Sequence, residues 1–443
     1  MTQQQPLHTP STIEALPPNW YWSRLDDACE GVFDCPHSTP TLTKDGPLVV
    51  RSQDIRSGVL RTEEAGRVSE ETYRERIAKA EPKHGDLLYS REGTYFGIAA
   101  ELPRGVRACL GQRMVLIRPK PALLNFRFLR YWLNSPALAL HVHGHRDGTV
   151  AERLNLPTIR GLPIAIAPLR HQELIADSLG SLDDKIELNG RTNETLEVMA
   201  QTLFRLWFVG FDPVRAKAEG TEPQGIDREA SGLFPDAFEM SRLGPIPKGW
   251  RVGTVGETFS LTMGQSPPGD TYNATGEGVP LFQGRAEFGF RFPTVRLSCT
   301  APTRFAELGD TLVSVRAPVG DVNMADRRCC IGRGLAAVRH GTGSRSFTYY
   351  SMRELDTDFA RFEAEGTVFG SINKAEFAKL LVVVPPNELV QQFERQVYPL
   401  DQLIEANSQQ MENLAALRDT LLPKLLSGEI RVLEANRLLE AAR

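Results

Sequence analysis

The sequence predicts an α+β protein: two mixed α/β domains separated by two long helices that form an antiparallel coiled coil, arranged as an internal pseudo-twofold repeat. Three observations carry that prediction. First, the 443-residue chain matches itself: Gly148-Thr149-Val150 recurs as Gly366-Thr367-Val368, Asn155 as Asn373, Pro168 as Pro386 and Leu182-Asp183 as Leu400-Asp401, each 218 residues further on. Chance does not hold one offset over about sixty residues, so the repeat is read before anything else. Second, two stretches poor in Gly and Pro carry apolar residues on an alternating 4,3 spacing. That narrow stripe is the pattern of a coiled-coil seam, whereas a globular surface helix shows a broader face. Third, the segments before each stretch are punctuated by Gly and Pro and hold short β-rich runs.

In chain order, residues 16–168 form the first mixed domain, with strand-like runs Pro47-Leu-Val-Val-Arg51 and Met114-Val-Leu-Ile-Arg118. Residues 169–208 form the first helix, whose seam is Ile175, Leu179, Leu182, Ile186, Asn189, Asn193, Leu196, Ala200, Leu203 and Trp207. Residues 209–244 contain Gly210, Pro213, Gly220, Pro223, Gly225, Gly232 and Pro235 and read as a polar, partly mobile linker, long enough for the second half to turn back. Residues 245–386 form the second mixed domain, with the run Leu380-Leu-Val-Val-Val384. Residues 387–443 form the second helix, with Phe393, Val397, Leu400, Ile404, Asn407, Met411, Leu414, Arg418, Leu421 and Leu425 on its seam; Arg418 interrupts it. If the antiparallel helices end level, Asn193 faces Asn407, and their amides hydrogen-bond and set the register.

Composition excludes several classes. With 41% hydrophobic and 24% charged residues there is ample material for sizeable cores, and a largely disordered chain is excluded. No apolar run approaches the ~20 residues of a membrane span, and the start lacks a basic-then-apolar signal pattern, so the predicted location is the cytoplasm. Six cysteines without a C-x-x-C pair argue against a disulfide scaffold or structural zinc. The net charge of −4 speaks against nucleic acid until it is divided. Residues 85–160 and 285–353 each carry 11 basic against 5 acidic residues, whereas 170–208 carry 4 against 7 and 387–443 carry 6 against 9. In the second basic window every base is arginine, the side chain suited to bidentate contact with guanine and phosphate. Two basic windows at equivalent places in a repeat predict two polyanion sites.

No catalytic residue emerges. A G-x-x-x-x-G-K-[ST] loop is absent, Gly264-Gln-Ser266-Pro-Pro-Gly269 misses G-x-S-x-G by one position, and no N-P-P-aromatic or D-P-P-aromatic motif of an amino-methyltransferase occurs. His141-x-His143-x-His145 could align imidazoles on one face of a strand, but no acidic or cysteine ligands accompany it; a basic loop near a phosphate backbone is the expectation, and no metal. Asp183-Asp184 reads as a solvated acidic helix flank.

The residues Ile166-Ala-Pro-Leu-Arg-His-Gln172, Leu182-Asp-Asp-Lys-Ile-Glu-Leu-Asn189 and Ala200-Gln-x-Leu-Phe-x-x-Trp-Phe-Val-x-Phe-Asp-Pro213 resemble the DNA-specificity (S) subunit of type I restriction-modification systems. So do Leu243-Gly-Pro-Ile-Pro-Lys-Gly-Trp250, like the opening of a target-recognition domain, and Leu421-Leu-Pro-Lys-Leu-Leu-Ser-Gly-Glu-Ile-Arg431, like the distal conserved helix. The resemblance covers almost the whole chain and is weakest inside the two domains. It departs at Pro386-Asn-Glu-Leu-Val-Gln391 and at Arg418.

The resemblance implies a non-catalytic subunit that binds double-stranded DNA, reads a bipartite asymmetric target and docks two methyltransferase (modification) subunits and restriction/translocase subunits. It implies no cofactor in this chain; S-adenosylmethionine, ATP and Mg are expected only in the partners. Helices of about 37 residues would be ~55 Å long, against ~34 Å for a turn of DNA, so half-sites about a turn or more apart are expected. Candidate DNA-binding residues are polar and Arg side chains in loops. In the first domain they are Arg51, Gln53, Arg56, Tyr89, Arg91, Thr94, Gln112, Arg113, His145, Arg146 and Thr149. In the second they are Gln265, Gln283, Arg285, Arg291, Ser314, Arg316, Arg333, Thr367, Ser371 and Asn373. Alternative readings are a coiled-coil scaffold whose globular ends bind proteins, and an RNA-binding protein of similar layout.

Overall fold

Strands that are buried at nearly every position need cover on both faces, and the central strands of both halves are of this kind. The computed structural model describes residues 9–430 apart from 12, 14, 57, 94, 145–152 and 365–369. It divides into two units, Met1–Glu187 with Met411–Arg443, and Leu188–Gln410.

In the first unit a four-stranded antiparallel sheet has the order Cys29–Asp34, Met114–Pro119, Leu87–Ser90, Ala99–Glu101. Successive side chains of a strand point to opposite faces. Leu87, Tyr89, Val115 and Ile117 accordingly pack with helix Phe126–Leu133, while Leu88, Met114 and Leu116 pack with a second, three-stranded sheet. That second sheet has the order Gly66–Arg67, Thr43–Val50, Ala108–Leu110, and its last pair is parallel. Strands Tyr21–Arg24 and Pro163–Ile166 pair separately. The first unit also holds Leu169–Glu187 of the long helix Leu169–Phe208 and the last part of the long helix Asn387–Ser427. Ile175, Leu179 and Leu182 from one share a core with Leu421, Leu422 and Leu425 from the other.

The second unit repeats this plan. Its four-stranded sheet has the order Phe259–Met263, Leu335–His340, Thr311–Val315, Val319–Met324. Val313, Val315, Ala336 and Val338 face helix Arg345–Arg353, and Leu312, Leu335 and Ala337 face the other way. A five-stranded sheet includes the parallel pair Val279–Phe282 and Cys329–Ile331. Arg251–Thr254 pairs with Leu381–Val384. The repeated Gly85-Asp86 and Gly309-Asp310 share one local structure: each glycine has positive φ, and each aspartate is buried and paired with an arginine, Asp86 with Arg118 at 2.7 Å and Asp310 with Arg339 at 2.5 Å.

The two long helices run antiparallel in the second unit. Asn189 Nδ2 donates to Gln410 Oε1 at 2.8 Å, and Asn407 Nδ2 donates to Asn193 Oδ1 at 2.9 Å. As one number rises the other falls, and the expected Asn193–Asn407 pair is present. Every expected seam residue is buried or half-buried, including Ile186, Leu196, Leu203, Val397, Leu400, Ile404, Leu414 and Leu421.

Arg418 is no defect in the seam. In the first unit its Nη1 donates to Asp183 Oδ1 at 2.8 Å. Asp183 therefore departs from the solvated-flank expectation; its neighbour Asp184 is exposed. The linker expectation also gives way. Residues 209–244 carry helices Asp212–Ala218 and Arg228–Leu233, and Phe211, Val214, Ala230 and Phe234 are buried with Trp207 and Trp250. Ring pairs such as Trp207–Phe234 at 5.2 Å, perpendicular within 2°, explain why a Gly- and Pro-rich segment stays packed; such pairs contribute ~0.5–1.5 kcal/mol beyond their area.

Candidate nucleic-acid interface

The turns at one end of each four-stranded sheet bring several candidate residues together. In the second unit Gly264 N–H donates to Leu335 O at 2.8 Å, Gln265 N–H to Ile331 O at 3.0 Å, Gly332 N–H to Phe282 O at 2.7 Å and Val315 N–H to Gly334 O at 2.9 Å. A bridge joins Arg316 to Ser371, and Arg333 N–H donates to Ser266 Oγ at 3.3 Å. Five strand ends are thereby laced into one rim. Glycine is required there by close approach: a Cβ on Gly264 would lie 2.1 Å from Gly332 O, and one on Gly334 2.3 Å from Gln283 O. Gln265, Gln283, Arg316, Arg333 and Ser371 are exposed on this rim. Among the described residues the side chains of Gln265, Gln283 and Arg333 have no hydrogen-bond or ion-pair partner. Arg285, also exposed, pairs with Asp321 at 3.0 Å.

The first unit builds the same rim with different wiring. Gly111 N–H donates to Val50 O at 2.6 Å and Arg91 N–H to Arg113 O at 3.0 Å. Its arginines, however, meet carboxylates: Arg91 with Asp34 at 3.1 Å, Arg113 with Glu92 at 3.2 Å, Arg51 with Asp54 at 3.3 Å and Arg56 with Glu64 at 3.0 Å. Gln112 Nε2 donates to His37 O at 2.7 Å, and Gln53 is exposed.

Four candidates are corrected by their surroundings. Tyr89 is fully buried on a central strand, and burial pushes its hydroxyl well above the usual tyrosine range. Ser314 is fully buried, donating to Pro318 O and accepting from Asp321 N–H. Arg291 is buried among Tyr350, Asp401 and Glu197. None of the three has a face to offer DNA. Asn373 is exposed, but its side-chain oxygen accepts from Ala375 and Glu376 N–H and caps helix Lys374–Ala378, as Asn155 caps Leu156–Arg160. That repeated asparagine is a helix cap. Thr94, His145, Arg146, Thr149 and Thr367 lie outside the described residues. His141 and His143 stand on helix Pro136–Gly144. Two positions on a helix turn through ~200°, so the one-face strand geometry does not form.

Residues that sequence reasoning missed are the buried ion pairs joining each domain to its helices. Asp183 accepts from Arg130 Nη2 at 2.6 Å and from the Tyr131 hydroxyl at 2.5 Å, and Asp401 accepts from Arg291 Nη2 at 2.9 Å and from Ser346 Oγ at 2.6 Å. The available signal was an aspartate recurring beside a seam leucine in both copies. All six cysteines are free and buried; burial pushes the Cys29 thiol up to about 12 and Cys109 to about 11, which keeps them protonated and unreactive. No group of three or more metal-ligating side chains occurs among the described residues.

Residues 42–198 match the family model of the type I restriction modification DNA specificity domain. The chain is 28% identical over 431 residues to a specificity subunit assigned to the type I restriction enzyme MjaX of Methanocaldococcus jannaschii, covering 95% of this chain and 96% of the relative. It is 27% identical over 408 residues to the HindI specificity subunit of Haemophilus influenzae, covering 80% and 88%. The crystal structure of a type I restriction-modification S subunit from M. genitalium shares the fold, with a TM-score of 0.55 at 16% identity over 95% of this chain and 99% of that one. Together with the duplicated domain-and-helix plan, these findings make the chain similar over nearly its whole length to the DNA-specificity (S) subunits of type I restriction-modification systems.

Proposed function

We propose that this chain reads a bipartite, asymmetric sequence of double-stranded DNA through the two laced rims and holds two methyltransferase subunits, and with them the restriction/translocase subunits, at that target. The observation that carries the reading is the recurrence of one strand-end rim, with Arg and Gln side chains, in both units. Such side chains suit base edges: Arg pairs with guanine and Gln with adenine. The two rims differ in sequence and in wiring, so each half-site differs and the target is not a palindrome. As an S subunit the chain is the non-catalytic component and carries no cofactor itself. Among the described residues no helix is long and apolar enough to cross a membrane.

Mapping methylated bases in cells with and without this chain tests the proposal. A two-part motif with a fixed gap of unspecified bases is expected to disappear when the chain is deleted. An unchanged methylation map, with the modification subunits present, would refute it.

A further inference from the structure

We infer that Arg291 is a positioning residue that fixes how the second recognition domain is seated on its helix pair, and so restricts the gap length the chain accepts. The inference rests on the bipartite reading above. Arg291 comes from the domain, on the segment between strands Val279–Phe282 and Leu297–Cys299 of the five-stranded sheet, yet its side chain is 1% exposed. Its Nη2 donates to Asp401 Oδ1 on the second long helix at 2.9 Å and to the Tyr350 hydroxyl at 2.7 Å. The same nitrogen lies 2.6 Å from Glu197 Oε2 on the first long helix, an ion-pair contact without hydrogen-bond alignment. The guanidinium carbon sits 4.0 Å over the Tyr349 ring. One domain side chain thus touches carboxylates of both helices. Arg353 pairs with Glu197 Oε1, and Ser346 Oγ donates to Asp401 Oδ2 at 2.6 Å. Two arginines meet two carboxylates, and the cluster is neutral.

The first unit holds an equivalent cluster built from other residues. Asp183, the repeat counterpart of Asp401, meets Arg130 at 2.6 Å and Arg418 at 2.8 Å, and Arg130 also meets Glu101 at 3.1 Å. Arg127 meets Glu101 at 3.3 Å and Arg418 meets Asp419 at 2.8 Å, so arginines and carboxylates again alternate around the helix aspartate. Glu197 stands where the other copy has Ala415, and Arg418 where the other has Ala200. Duplication alone would have repeated the same residues; a buried arginine–carboxylate cluster reached through different ones points to a tie that the architecture requires. The physical reason is that apolar surfaces repack when a domain rocks, whereas a buried guanidinium withdrawn from two carboxylates leaves uncompensated charge. Rocking is therefore penalised in one unit by Arg291 and in the other by Asp183.

The test uses the whole complex in cells. Arg291→Lys keeps the charge but loses the planar fork that reaches both carboxylates. Genome-wide maps contain every gap length at once. The wild-type chain is expected to methylate sites of a single gap, while Arg291→Lys raises methylation at sites one base pair longer or shorter by roughly tenfold, with both half-site sequences unchanged. Phe259→Leu, a core change in the same domain away from the cluster, is expected to lower methylation evenly without altering the gap. If Arg291→Lys fails to accumulate, Ser346→Ala, which removes one hydrogen bond from Asp401, is read the same way. A variant that keeps the wild-type gap, or loses methylation evenly as Phe259→Leu does, overturns the inference. A wild-type chain that directs no bipartite methylation overturns instead the function on which it rests.

Discussion

Asp183 shows how a buried charge is tolerated in this protein. Burial alone would push its carboxyl up, yet Arg130, the Tyr131 hydroxyl and Arg418 hold it below the usual carboxylate range. A carboxylate whose folded pKa lies below its unfolded value, about 3.9, contributes stability that is complete above that value and is lost as pH falls through the folded one. Asp183→Asn is expected to cost about 3 kcal/mol at neutral pH, because Arg130 and Arg418 lose the buried carboxylate that they share. It should also flatten the acid limb of the stability curve below about pH 4. Denaturant unfolding between about pH 2 and pH 7 measures both, and an unaltered acid limb would exclude Asp183 as the linked group. Sequence put this residue on a helix flank correctly but could not show that arginines from two distant elements converge there.

Between the helices, register is set by polar side chains in an otherwise apolar seam. The amides of Asn189, Asn193, Asn407 and Gln410 satisfy one another, and Asn193 Nδ2 also donates to Ser408 Oγ at 3.2 Å. A polar seam residue specifies register at a cost in stability. The double variant Asn193→Leu with Asn407→Leu is therefore expected to raise the unfolding midpoint by about 2–4 °C, the change for roughly 1 kcal/mol in a unit of this size. It should also broaden the distance distribution between spin labels at Thr195 and Leu403, both exposed. A distribution as narrow as the wild type would mean that the apolar seam sets register alone. This element was readable in advance because coiled-coil spacing is local and periodic. The parallel strand pairs, Thr43–Val50 with Ala108–Leu110 and Val279–Phe282 with Cys329–Ile331, were not. Their partners are far apart in sequence, and no local pattern distinguishes parallel from antiparallel pairing.

Across the whole molecule, each unit carries its own rim, sheet pair and share of both helices, so a change confined to one rim should affect one half of the target. Arg333→Ala is expected to relax a single base position in one half-site, at a cost of about 1–3 kcal/mol in discrimination, and to leave the other half-site and the gap untouched. Sequencing-based methylation maps of the variant measure this; loss spread equally over both half-sites would make Arg333 a backbone contact or a structural residue.

The duplication, the 4,3 seams, the division into basic domains and acidic helices and the Asn193–Asn407 register were all determined by sequence, because each depends on periodicity, offset or composition. Only the tertiary structure decided which candidate arginines face outward. Arg291 and Arg333 are indistinguishable as letters in one basic window, yet one is enclosed by carboxylates from both helices and the other stands free on a glycine-laced turn. Burial of a long charged side chain depends on partners contributed by remote segments, and that information exists only once the chain has folded.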